Sequence, residues 1–124
     1  MKEKDRELLF QDLCARLPYG VIVETPKGEG HICDINLTIF GYEFGVNINA
    51  TSRDNFSISY VKPYLFPISS MTEEEKLMYE GLMIGTDNIS YILDVIDWLN
   101  SHHFDYRNLI EKGLAIDATG LNIY

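Results

Sequence analysis

Residues 33–50, CDINLTIFGYEFGVNINA, contain the pattern that decides the fold. Apolar side chains occupy the odd positions of 33–39 and the even positions of 42–50, and most positions between them are polar. A period of two is typical of β-strands with one buried face, so the stretch predicts two half-buried strands. If Phe40 and Gly41 form a two-residue hairpin loop, both apolar rows lie on one face of the sheet.

Two further strands complete the predicted sheet. Residues 21–23 precede a turn at 26–30, and residues 56–60 alternate again, with their even positions buried, after a polar loop at 52–55. The result is a four-stranded antiparallel meander that either curls into a small SH3-like half barrel or lies flat beneath helices. The two prolines in 62–67 remove donors from a β-ladder, so this segment is predicted to be an extended crossover.

An N-terminal helix is predicted by leucines that recur at every fourth position from Leu9 to Leu17. The charged residues between them, including Asp12 and Arg16, are expected on the solvated side of the helix. Pro18 disfavours a helical conformation in the residue before it, so the helix ends nearby.

A second helix is predicted to begin after Met71 and to end at Gly85. Thr72 is its predicted N-cap, and Glu75, three residues later, completes a capping box. The buried stripe of this helix is predicted to consist of Leu77, Met78, Leu82 and Met83.

A third helix is predicted from Thr86 or Asp87 to about His102. Only three of the eleven residues in 89–99 are polar, and a helix that is apolar on most of its circumference is either central to a fold or covers an interface. One more helical turn near 107–112 and an extended tail complete the chain.

Together these elements predict a single α+β domain spanning residues 1–124. An N-terminal helix precedes a curled four-stranded antiparallel sheet, and two or three C-terminal helices pack on the apolar face of the sheet. The length of 124 residues and the composition, 46% hydrophobic and 12% aromatic, suit one globular domain with its own core.

The chain is acidic, with a net charge of −9, and residues 69–124 contain ten acidic but only three basic residues. Non-specific binding to nucleic acid or to an anionic membrane needs a basic surface, so neither is an expected direct partner. No apolar run approaches the roughly 18 residues that a membrane helix needs. Residues 1–7 lack the apolar core of a secretory signal, and a cytoplasmic location is therefore expected.

Metal and cofactor sites lack support in the sequence. His102 and His103 are adjacent and would point about 100° apart on a helix, whereas chelation requires a spacing of three or four residues. Asp94 and Asp97 share a helix face, but no third ligand accompanies them, and they are expected to form a solvated helix edge. No metal and no cofactor is therefore predicted.

The two cysteines, Cys14 and Cys33, are expected to be free, buried thiols because each belongs to an apolar row. A disulfide between them is left open, although no spacing pattern supports it. His31 shares a strand face with Cys33, yet a thiolate–imidazole pair would lack the third group that orients it. No catalytic residue is therefore predicted, and a binding function is expected before an enzymatic one.

Three stretches, residues 12–21, 62–75 and 105–115, resemble a family of small uncharacterised proteins from gut Bacteroides-type bacteria and their phages, often found near mobile elements. The stretch KPYLFPISSMTEEE at 62–75 carries the most specific likeness. The relatives commonly have Arg at the position of Phe66 and Gly at that of Asn108, and the central sheet matches less closely. The resemblance implies a bacterial or phage cytoplasmic setting and brings no activity.

The resemblance also implies a candidate interaction patch. Its residues are Arg16, Tyr19, Lys62, Tyr64, Phe66 and Arg107. The leading functional hypothesis is a binding or accessory protein that acts through contacts with a protein partner or through self-association. The missing catalytic set, aromatic residues beyond those that one core needs, and the acidic C-terminal half favour it.

Two alternatives stay open. The acidic C-terminal half could mimic a nucleic acid and inhibit a DNA-binding protein, provided that its carboxylates share one face. The carboxylates concerned are those of Glu73, Glu74, Glu80, Asp87, Asp94 and Asp97. The other alternative is an enzyme or small-ligand binder with a polar pocket between sheet and helices, near His31, Cys33 or Arg107.

Overall fold

A computed structural model describes residues 1–49, 52–83 and 89–124. The chain begins with helix α1 (Glu3–Arg16) and continues through five strands, β1 (Ile22–Thr25), β2 (Gly28–Thr38), β3 (Gly41–Asn49), β4 (Ser52–Ser57) and β5 (Lys62–Pro67). Two helices follow, α2 (Glu73–Met83) and α3 (Ile89–Ser101). Two short strands, β6 (Phe104–Asp105) and β7 (Ile116–Asp117), lie near the C-terminus.

The described strands form one curled, open, mixed sheet in the order β4-β3-β2-β1-β5-β6, and β7 also pairs with β5. The predicted sequence of N-terminal helix, sheet and later helices is confirmed, as is antiparallel pairing from β1 through β4. The prediction of only four strands was wrong. Strand β5 adds to β1 in antiparallel orientation and pairs in parallel with β6 and β7.

The segment 62–67, predicted as a crossover, is strand β5. Its prolines, Pro63 and Pro67, occupy the second and last positions, so the residues between them keep their backbone donors. One of these donors, the Phe66 amide, bonds to the His103 carbonyl at 2.8 Å. Two prolines near the ends of a short strand therefore leave its middle able to pair.

The β2–β3 hairpin is confirmed, but its loop is one residue earlier than predicted. Thr38 pairs with Gly41, so the two loop residues are Ile39 and Phe40. Gly41 has a positive φ of 104°, which a residue without Cβ adopts without strain. The Thr38 hydroxyl donates to the Gly41 carbonyl at 2.9 Å and accepts from the Phe40 amide at 3.1 Å. These bonds hold the turn in one conformation.

A β-bulge in β2 between Ile32 and Asp34 reverses the predicted orientation of Cys33. The extra residue shifts the alternation, so Ile32 pairs with Val46 and both side chains are buried. Cys33 is exposed, and the prediction that it is buried was therefore wrong. Cys14 is half-buried, and both cysteines are free thiols.

Strand β4 begins and ends earlier than predicted. Residues 52–55, predicted as a loop, belong to β4 and pair with β3, and the strand stops at Ser57 before a 3-10 helix, Ile58–Tyr60. Phe56 is buried as predicted, whereas Tyr60 is mostly exposed. Outer strands often carry polar and charged side chains, which hinder pairing with other chains, and this strand therefore resembled a loop in sequence.

Helix α1 covers the apolar face of the sheet. Leu9 and Leu13 are fully buried there, as their spacing predicts. The predicted solvation of Asp12 and Arg16 was wrong, since both side chains are completely buried. The main core consists of Leu9, Leu13, Val21, Val23, Ile32, Phe44, Val46, Phe56, Ile58, Val61, Leu65, Leu109, Leu114 and Ala115.

Among the residues whose side chains the structure describes, none from α2 or α3 belongs to this main core, contrary to the prediction that these helices pack on the sheet face. They surround a second, smaller cluster, whose buried residues are Met71, Val95, Leu99 and Phe104. The capping box of α2 is confirmed: the Thr72 amide donates to Glu75 Oε1 at 2.9 Å, and the Glu75 amide donates to Thr72 Oγ1 at 3.2 Å. Helix α2 nevertheless has no buried residue, so its predicted buried stripe was wrong.

Three predicted boundaries lie outside the described residues. They are the end of the second hairpin strand at Ala50, the end of the second helix at Gly85, and the start of the third at Thr86 or Asp87.

The helical turn predicted near residues 107–112 is not a regular helix. These residues form bends and turns.

Candidate functional site

Two residues of the predicted patch, Arg16 and Arg107, meet at a buried carboxylate. Arg16 Nε lies 2.9 Å from Asp12 Oδ2, and Arg107 Nη1 lies 2.9 Å from Asp12 Oδ1. Arg16 Nη2 also donates to the Phe104 carbonyl at 2.6 Å. Because a buried charge is costly unless it is paired, these bonds offset much of the cost of burying Asp12 and Arg16, although Arg16 Nη1 is buried without a hydrogen-bond partner among the described residues.

Tyr106 joins the same network. Arg107 Nη1 donates to the Tyr106 hydroxyl at 2.8 Å, and this hydroxyl donates to Asn100 Oδ1 at 2.8 Å. The guanidinium carbon of Arg107 lies 4.5 Å from the centre of the Tyr106 ring, and that of Arg16 lies 5.4 Å from it. We call Asp12, Arg16, Tyr106 and Arg107 the arginine network. It connects α1 to α3 and to the segment after β6, which is a structural role.

The other residues of the predicted patch lie in different environments. Tyr64 is buried and donates to Glu29 Oε1 at 3.0 Å, and burial together with this carboxylate raises the pKa of Tyr64 to about 12. Tyr19 and Phe66 are half-buried, and burial and then the Asp97 carboxylate raise the pKa of Tyr19. Lys62 is exposed. Of the six patch residues, therefore, Lys62 alone is mostly exposed, while Arg107 is half-buried like Tyr19 and Phe66.

The two cysteines lie in different environments. Burial raises the pKa of the Cys14 thiol, which disfavours the reactive thiolate. The Cys33 thiol donates to the Gly45 carbonyl at 3.3 Å, so its proton is directed at the backbone. Within the described ranges, no three His, Cys, Asp or Glu side chains lie together as a metal ion would require.

Two grooves lie near residues proposed for a small-ligand pocket. One of about 600 Å³ includes Arg107, and one of about 410 Å³ includes His31. Their volumes fall in the range of ligand sites. The Arg107 guanidinium, however, already bonds to Asp12 and Tyr106, and these partners occupy donors that would recognise an anion.

The end of the β2–β3 hairpin is the most exposed apolar feature among the described residues. Ile39 is 94% exposed and Phe40 is 86% exposed. We define the hairpin tip as Leu37, Ile39, Phe40 and Tyr42, each of which is more than half exposed. The alternating pattern of this stretch had placed three of them on a buried face. The sequence signal that could have identified them is an Ile–Phe pair in a turn, where polar residues are usual.

A groove of about 550 Å³ lies beside the contact between the hairpin tip and α1 and is lined by residues of both. Phe10, Tyr42 and Ile58 contribute to its apolar lining, and the ring centres of Phe10 and Tyr42 are 4.9 Å apart. Glu3, Arg6 and Glu7 lie at the helical side of the groove. The groove and the tip therefore form a surface on which an extended or helical segment of another protein could lie.

Helix α2 presents a second exposed surface. Leu77 is 68% exposed, and Met78 and Met83 are also more than half exposed. Glu73, Glu74 and Glu80 are exposed on the same helix. On α3, the side chains of Ile92 and Leu93 are also more than half exposed.

A scan against protein-family models and searches of the curated proteins and of the solved structures found no match. Over the described residues, none of the helices has both the length and the apolar character needed to cross a bilayer. Function is therefore inferred from the geometry of the exposed surfaces.

Proposed function

We propose that this protein is a protein-binding module that contacts its partner through the hairpin tip. The observation that carries the proposal is the exposure of Ile39 and Phe40 at the end of an ordered turn. Contiguous exposed patches of large apolar residues often mark interaction sites on proteins, and the four residues of the hairpin tip are such neighbours. Burying one such side chain against a partner contributes about 1.5–3 kcal/mol, so two of them provide a substantial part of a binding free energy.

The turn supports a role in binding because its structure does not require apolar residues. The Thr38 side chain and the positive φ of Gly41 hold the turn, and neither depends on the side chains at 39 and 40. Turns of this kind usually carry polar residues between their strands. Departures from such local rules concentrate at functional sites, which favours a partner contact here.

The groove beside α1 supports the same proposal. It offers a partner segment an apolar surface next to the tip, formed in part by Phe10 and Tyr42. The helical side carries Glu3, Arg6 and Glu7, so both signs of charge border the apolar lining and can pair with polar groups of a protein segment. The partner is therefore expected to insert apolar side chains between the tip and the helix.

A photocrosslinking amino acid at position 40 tests this proposal. In a lysate of the source cells, we expect it to form a discrete adduct with one protein, and the Ile39→Ser variant should weaken that adduct. The matched control carries the crosslinker at position 121, where Leu121 is similarly apolar and half exposed. Equal adducts from both positions, or none from position 40, would contradict the proposal.

Nucleic-acid mimicry is a second candidate function. The five described carboxylates of the predicted set, those of Glu73, Glu74, Glu80, Asp94 and Asp97, are all exposed. A mimic competes through charge, so it should displace DNA from a basic protein in a salt-dependent manner, and the Ile39→Ser change should not matter. Dependence on residues 39 and 40 would instead favour the protein-binding module.

A further inference from the structure

We infer that the outer face of α2 is a second docking surface, which accepts a basic amphipathic helix of a partner protein. We define the outer face of α2 by Glu73, Leu77, Met78, Glu80 and Gly81, all of which are exposed. This inference is independent of the hairpin tip, which lies on different elements of the fold.

The first observation is that α2 does not use this face for folding. The helix has 11 residues and none of them is buried. Isolated helices shorter than about 12–15 residues are marginal in water, so α2 depends on its capping box and on contacts with the rest of the molecule. Those contacts come from the opposite side, where Tyr79 and Leu82 are half-buried against the smaller cluster. Leu77 and Met78 are left uncovered.

The second observation is the spacing of Leu77 and Gly81. Residues four apart lie one above the other on a helix, so the bare backbone of Gly81 lies one turn C-terminal to Leu77 on the same face. A Cβ added at Gly81 would meet no atom within 4 Å, so the space over this glycine is open. Helices pack by fitting side-chain ridges into grooves, and a leucine followed by an uncovered glycine one turn later gives this face one ridge and one groove.

The third observation concerns charge. Helix α2 contains four glutamates and one lysine, and Glu73 and Glu80 lie one turn before and one turn after Leu77. The lysine, Lys76, has its Nζ 3.7 Å from Glu73 Oε1, so the charges of these two residues partly offset each other and the helix keeps a net negative charge. An apolar centre with an acidic border complements a helix whose apolar stripe is flanked by Lys or Arg.

Charge also decides between occupants of this face. A second copy of the chain would bring the glutamates of two α2 helices together, and like charges in one interface are unfavourable. An anionic bilayer would meet the same repulsion. Met78 adds a flexible side chain that adapts to different apolar partners. A basic amphipathic helix is therefore the occupant that the face fits.

A peptide titration followed by nuclear magnetic resonance tests the inference on the full chain. The probe is an 18-residue helical peptide of leucine and lysine with one apolar face. We expect saturable shift changes at the backbone amides of residues 73–83 and weaker binding as salt is raised. Two comparison peptides keep the pattern but replace every lysine by glutamate or every leucine by serine, and neither should bind appreciably.

Two variants locate the contact. Leu77→Gln removes the apolar centre and should weaken binding roughly tenfold, which corresponds to the loss of one buried leucine. Leu93→Gln is the matched control, because Leu93 is a similarly exposed leucine on α3, and it should leave the affinity unchanged. Circular dichroism checks that both variants keep the helical content of the parent.

Several results would overturn the inference. If the glutamate peptide binds as tightly as the leucine–lysine peptide, charge has no role in the contact. If the serine peptide binds as tightly, the contact depends on charge alone. An unchanged affinity of Leu77→Gln would place the peptide elsewhere. Shifts at residues 73–83 that depend on protein concentration without peptide would identify a second copy as the occupant.

Discussion

Helices α1 and α2 are both predicted to bury an apolar stripe, but only α1 buries one in the structure. Leu9 and Leu13 of α1 are fully buried against the sheet, while Leu77 of α2 is 68% exposed and α2 buries no residue at all. The difference shows that periodicity identifies an apolar face but does not identify what covers it. In α1 the sheet covers the face, and in α2 we propose that a partner does.

The largest loss of stability is expected when the Asp12 carboxylate, which anchors α1, is removed. Asp12→Ala leaves the guanidinium of Arg16 buried without its ion-pair partner, and such a change costs about 3–5 kcal/mol of unfolding free energy. Urea denaturation measures the loss. Glu7→Ala, at an exposed position of the same helix, is the control and should change stability by less than about 0.5 kcal/mol. Similar effects of the two variants would show that the arginine network does not stabilise the fold.

The leucines of the two helices allow a direct comparison with one kind of substitution. Leu13→Ala creates a cavity in the main core and should lower the unfolding free energy by about 2–5 kcal/mol. Leu77→Ala removes an exposed side chain and should change it by less than about 0.5 kcal/mol. If Leu77→Ala destabilises the isolated protein as much as Leu13→Ala, the outer face of α2 is already covered within the chain.

A smaller effect is expected at His103, between α3 and β6. Burial, and then the charge of Arg16, lower the pKa of His103 to about 4 from its ordinary value near 6.5. Between these values the unfolded chain binds more protons than the folded one, so stability falls as pH decreases from 6.5 to 4.

Because His103 is only half-buried, a loss of about 1–2 kcal/mol is expected. The residue has a positive φ of 62°, which asparagine tolerates, so His103→Asn is the suitable variant. Thermal unfolding at several pH values should show a shallower dependence for the variant. If the variant loses as much stability between pH 6.5 and 4 as the parent, groups other than His103 cause the pH dependence.

Local signals in the sequence predicted a good part of the fold. The leucine spacing predicted α1, the Thr72–Glu75 pair predicted the start of α2, and Gly41 predicted the position of the hairpin turn to within one residue. Each of these features depends on residues within a few positions of one another, which is why a sequence alone contains them.

The missed features depend on distant partners. Burial of Asp12 requires Arg107, 95 positions away, and the pairing of β5 requires β1, β6 and β7. The bulge at Cys33 depends on how β2 pairs with β3. The exposed surfaces were missed for a related reason: the apolar pattern of residues 37–42 is the same whether the sheet or a partner covers it.

Hydrogen exchange of the backbone amides, with and without the leucine–lysine peptide, tests the comparison of α1 and α2 most directly. In the free protein, α2 amides should exchange roughly tenfold or more faster than those of α1, because few buried contacts oppose local opening. The peptide should slow exchange in residues 73–83 and leave α1 unchanged. The proposal that the outer face of α2 docks a partner helix would be contradicted by either of two results. One is equal protection of α2 and α1 in the free protein, and the other is unchanged exchange of residues 73–83 with saturating peptide.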